Sequence, residues 1–138
     1  MTVRIATSVR NAMVDAVKAL IDGGSGPGKI RIYTGSQPAG PGSAAVGTLL
    51  AEIPFADPSF GASGSGSAAA DVTPALTATA AQSGTAGWLR ILDSNDVALI
   101  DGSVTATGAG GDFTLNSTAV TSGLAVSVTG LTLTEPAS

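Results

Sequence analysis

Apolar and polar positions along the chain fall into one helical stretch followed by a series of short alternating runs. From Val9 to Ile21, Val9, Met13, Ala16, Val17 and Leu20 recur at intervals of three and four, which predicts an amphipathic α-helix packed through that stripe. Arg10, Asn11, Asp15 and Lys18 point mostly elsewhere on the same helix. Thr7 and Ser8 are suitable N-cap residues, and Gly23 and Gly24 supply the left-handed residues that commonly close a helix. The helix is therefore placed at about residues 8–22, with a β-rich region over 29–135.

Lys29 to Tyr33 alternates Ile30 and Ile32 with Arg31 and Tyr33, the period of a strand with one face buried. Thr34 to Gly47 is too rich in Gly, Pro and Ala for regular structure and reads as an exposed loop. Leu49, Leu50, Ile53 and Phe55 form a strand whose Pro54 suits a sheet rim, since proline cannot donate to the ladder. The stretch DPSFGASGSGSAAADVTP reads as a long surface loop or a weak strand, with Phe60 and Val72 as possible anchors.

Leu76 to Ala80 and WLRIL, Trp88 to Leu92, are expected to pair across a Gln-Ser-Gly turn. WLRIL is apolar on both faces except at Arg90, which suits the middle of a sheet, with Trp88 as the largest core anchor. Asp93 to Asp96 then makes a hairpin turn into VALI. Phe113 alternates with Leu115, and Leu124, Val126 and Val128 share one parity, whereas Leu131 and Leu133 take the other. A bulge at Thr129–Gly130 would restore the inward register. Trp88, Ile91, Phe113 and Val126 are the named core residues. The whole is read as a single domain, mainly β (α+β): an antiparallel sandwich or partly open barrel, with the N-terminal helix over one face or edge.

Composition narrows what such a domain can do. Val, Ile, Leu and Phe total 32 of 138 residues, against 74 Ala, Gly, Ser and Thr, so the core is thin and burial against partners would add much. With no Cys and no His, disulfides, thiolate or imidazole metal sites and every nucleophile–histidine arrangement are excluded. Charged residues interrupt the N-terminal apolar pattern, which offers neither a signal-peptide core nor a membrane span, and the chain is expected to be soluble and unexported by itself. Residues 1–31 carry a net +3 and the remainder −7, and an acidic chain with five aromatic residues does not suit nucleic acid.

Three stretches invite a chemical reading. DGGSGPGKIRIYTG holds Gly23, Gly28 and Lys29 at P-loop spacing, but it follows a helix and precedes a strand, the reverse of a phosphate-binding loop, and Ile30 stands where a metal-binding hydroxyl belongs. DSNDVALID opens like a calcium loop, yet position five is Val97, the turn glycine is missing and position twelve falls on Val104. Asp93, Asp96, Asp101 and Asp112 cluster in sequence as paired acids would, but all four sit at apparent turns, where solvated Asp is ordinary. No catalytic, cofactor-binding or metal residue is assigned.

The helix TSVRNAMVDAVKALIDGG, then RIYTGSQPA at Arg31 to Ala39, DPSFG within LLAEIPFADPSFG, WLRILDSNDVALIDGSV and the terminal alternating strand together resemble small structural proteins of tailed bacteriophages and prophages. The resemblance covers nearly the full length, and none of its motifs is catalytic. It implies a non-enzymatic virion protein made in the host cytoplasm, above all a capsid decoration or cement protein on the capsid exterior. Its partners would be the major capsid protein and further copies of itself, with a trimer as the suggested order and neither nucleic acid nor membrane. A tail component or a host-surface, glycan-binding module is the alternative. Arg4, Arg10, Lys18, Lys29 and Arg31 are candidate contacts to an acidic capsid or neighbouring subunit, with a solvated face as the plain alternative.

Overall fold

A computed structural model describes residues 3–111 and 113–135. Helix α1 (Thr7–Asp22) is followed by β1 (Lys29–Thr34), β2 (Leu49–Pro54), β3 (Ser67–Ala69), β4 (Leu76–Thr79), β5 (Gly84–Leu92), β6 (Ala98–Ala106), β7 (Phe113–Leu115), β8 (Ala119–Val120) and β9 (Ala125–Thr134). The strands form one sheet in the order β2-β1-β5-β6-β7-β9-β3, with β4 also on β9 and β8 on β5. The sheet curls on itself. Beyond its β4 end, Ala81 N donates to the Leu50 carbonyl of β2 at 2.8 Å, so of the two architectures expected the partly closed barrel is the one formed.

The core fills the inside of the curl with Ile30, Ile32, Ile53, Leu89, Ile91, Leu115, Phe113, Val126 and Val128. β5 lies between β1 and β6, as its two apolar faces require. Its partner is not β4, however. β4 pairs with β9 (Leu76↔Val128 to Thr79↔Ala125), because β1 and β6 already occupy the two edges of WLRIL. On β9 the register passes from Thr114↔Gly130 to Leu115↔Val128, leaving Thr129 as the extra residue of the expected bulge. Val126, Val128 and Leu131 are all buried as a result, whereas Leu124, before the strand, is exposed.

The region from 57 to 74 resolves into the short strand β3 and a Phe60↔Ala70 bridge. Phe60 is buried against Phe55, ring centroids 5.6 Å apart, but Val72 is exposed and anchors nothing.

Helix α1 departs from expectation at both ends and in its rotation. Its N-cap is Ala6, without a side-chain cap, so neither Thr7 nor Ser8 caps it. Gly23 is right-handed (φ −78°), not left-handed. Gly24 serves a close approach instead, since a Cβ there would run into Ser94 of the Asp93–Asp96 turn. The inward stripe is Val14, Val17 and Ile21, while Val9, Met13 and Leu20 are 50, 40 and 60% exposed.

Polar side chains account for the rotation. Arg10 Nε donates to the Glu135 carbonyl (2.8 Å) and Nη2 to that of Ser65 (3.0 Å), and Lys18 Nζ donates to that of Gly61 (2.9 Å). Asn11 Oδ1 accepts from Gly66 N, and the Asp22 carboxylate accepts from Ser59 N. The Gly- and Ser-rich segment after Phe55 has little apolar surface to pack, and the helix binds it through the backbone groups it would otherwise leave unpaired.

Candidate functional site

The outward face of β2-β1-β5-β6 carries the most concentrated polar chemistry among the described residues. Alternation in LLAEIP, KIRIYT and WLRIL puts Glu52, then Lys29 and Arg31, then Arg90 on this face, and the register aligns one charge from each strand with Asp101 of β6 in a row, Glu52↔Arg31↔Arg90↔Asp101. Two arginines directly opposite each other would repel, but an acid flanks each of them. Arg31 Nε donates to Glu52 Oε2 at 2.6 Å. Arg90 grips Asp101 with both arms, Nε to Oδ1 at 2.7 Å and Nη2 to Oδ2 at 2.9 Å, with side chains 7 and 2% exposed.

The next row is aromatic. Tyr33 lies opposite Trp88, their rings stacked at 4.6 Å and 13°, and the Arg90 guanidinium sits 5.3 Å from the Trp88 ring centroid. Trp88 is fully buried, yet it belongs to this outer cluster and not to the core inside the curl. The loop after Thr34 reaches this face. Gly87 leaves room for the Gly35 carbonyl, and Arg90 Nη2 points at the Gly40 carbonyl (3.4 Å). The loop expected to be simply exposed thus provides part of the cover.

At the rim, the DSND turn is locked from both sides. Asp93 Oδ1 accepts from the backbone of Asn95 (2.8 Å) and Val97 (2.9 Å). Asp96, at φ +66°, accepts from Lys29 Nζ and Arg31 Nη2, both at 2.8 Å. The hydrogen bond from Lys29, followed by the charge of Arg31, holds the Asp96 carboxyl below its ordinary value, and Lys18 does the same for Asp15. The carboxylates hold Arg31 and Arg90 still more firmly protonated, with Glu52 and Asp101 as the main causes. All of these groups are charged at neutral pH, and Arg31, Arg90, Asp96 and their partners make an electrostatic clasp between strands.

A pH dependence follows. A carboxylate held below its unfolded value contributes stability in full above that value and loses it as pH falls. The melting temperature is expected to drop from about pH 5 downward, and Asp96→Asn to make that drop shallower. An unchanged slope in a thermal-melting series would show that the Asp96 clasp contributes nothing.

Of the five candidate contact residues, Arg10, Lys18, Lys29 and Arg31 are engaged within the chain. Arg4 is exposed and makes no ion pair among the described residues. Arg10 and Lys18, expected to face away from the body, tie the helix to it. Of the four clustered acids, Asp93 and Asp96 belong to the turn and Asp101 to the buried pair, while Asp112 lies outside the described residues. Ile91, Phe113 and Val126 line the core. The missed residue is Glu52, and Arg90 reads from sequence only as an interruption. The usable signal was charges of opposite sign inside otherwise apolar strands, Glu52 in LLAEIP and Arg90 in WLRIL.

Among the described residues no three acidic, His or Cys side chains come together as metal ligands, and no helix is long and apolar enough to cross a membrane. An open groove of about 360 Å³ lies beside Phe113, lined by Asp101, Gly102, Thr132, Leu133 and Thr134, with its carboxylate already held by Arg90. Comparison with protein-family models, curated proteins and solved structures gave no match.

Proposed function

We propose that this chain is a non-enzymatic structural protein of a tailed-phage virion, a decoration or cement subunit that sits on the capsid exterior and reinforces contacts between capsid subunits. The motif resemblance over nearly the whole length supplies the class. The observation that carries the physical side is the surplus of exposed apolar side chains: Val3, Val9, Met13, Leu20, Val46, Leu49, Val72, Val97 and Leu124 stay accessible in a chain with few large hydrophobes. A subunit that completes its burial on a neighbouring surface accounts for that surplus. The clasped charges favour the same reading, because they hold the strands in place and leave the apolar positions to make contacts. The partners are the major capsid protein and further copies of this chain, with a trimer as the proposed order.

Removing the gene from the phage tests this. Particles should still form, but they should lose DNA at lower temperature or under milder salt shock than the parent. Unchanged particle stability would overturn the cement role.

A further inference from the structure

The outer face of α1 carries an exposed apolar strip. Val9, Met13, Ala16 and Leu20 follow one another at spacings of 4, 3 and 4, the repeat of a heptad seam, and all four are exposed. Ala12 and Ala19, also exposed, flank them with small side chains that let a second backbone come close. The strip carries no charge, because Arg10 and Lys18 are drawn inward to the Ser65, Glu135 and Gly61 carbonyls. The helix as a whole is balanced, with Arg10 and Lys18 against Asp15 and Asp22, so two copies meet here without the repulsion that a net charge of −4 imposes elsewhere.

We infer that this strip takes the same strip of a second copy, in antiparallel orientation about a two-fold axis. Size decides the orientation. In the antiparallel layers Val9 meets Leu20 and Met13 meets Ala16, so each larger side chain faces a smaller one. In a parallel pair Met13 would face Met13, Leu20 would face Leu20, and Ala16 would leave a gap against Ala16. Antiparallel helices also set opposite dipole ends side by side.

The contact runs about 17 Å along the helix, from Val9 to Leu20 at the helical rise. That is short of the roughly 800 Å² per partner of a standard stable interface, so each pair is weak and gains strength where many act together. A two-fold contact of this kind joins oligomers and does not itself build a trimer. It does not rest on the virion reading, and its test uses only the purified full-length chain.

Because the chain has no cysteine, single cysteines report the geometry directly. Val9→Cys and Leu20→Cys, mixed and gently oxidised, should give mainly the mixed disulfide, in excess of the statistical half, since only facing positions come within bonding reach. Ala16→Glu, at an exposed site that should leave thermal unfolding unchanged, should weaken dimerisation in sedimentation equilibrium about tenfold by burying an unpaired carboxylate. Cross-linking of Leu20→Cys mainly with itself would overturn the antiparallel arrangement. A statistical disulfide mixture, or dimerisation indifferent to Ala16→Glu, would overturn the seam.

Discussion

Trp88→Ala is expected to cost about 3–5 kcal/mol of folding stability, a large share of the total for a chain of this size. Trp88 is the only tryptophan, is fully buried, and is held between a stacked Tyr33 and the Arg90 guanidinium. Its removal leaves a cavity on a face that has little else to collapse into it, since the neighbouring loop is built mostly of Gly, Pro, Ala and Ser. Urea unfolding of the two proteins measures the loss. A difference under about 1 kcal/mol would show that the loop cover is not tightly packed on the ring.

Asp101→Ala is expected to be comparably severe, about 3–5 kcal/mol, because it leaves the Arg90 guanidinium buried without its carboxylate. The paired replacement Arg90→Met with Asp101→Leu should be much milder, since it removes both charges and fills the same space with apolar groups. Comparing the two by denaturant unfolding separates the cost of an orphaned charge from the value of the pair. Equal losses in both variants would mean that the pair itself stabilises the sheet.

The order helix, loop, strand around DGGSGPGKIRIYTG was legible because a short alternating run after a glycine-rich break has few other readings. The bulge at Thr129 was legible for the same kind of reason, a change of parity that one extra residue repairs. The helix rotation was not. Val9, Met13 and Leu20 make as good an apolar stripe as Val14, Val17 and Ile21, and the choice was made by Arg10, Asn11, Lys18 and Asp22 finding backbone partners far along the chain.

Trp88 was recognisable as buried, but its side of the sheet was not, because WLRIL is apolar on both faces and its parity distinguishes nothing. The pairing of β4 with β9 depended on which edges β1 and β6 had already taken, a property of the whole sheet. In the polar row, Arg90 stood out as the lone charge of an apolar strand, but its alignment with Arg31, Glu52 and Asp101 exists only once four strands share a register.

The proposed place of this half-barrel on a capsid surface is tested most directly by cryo-electron microscopy of the virion. Density for the subunit is expected on the outside of the capsid shell, bridging neighbouring capsid subunits. Density confined to the tail, or a shell without it, would contradict the account.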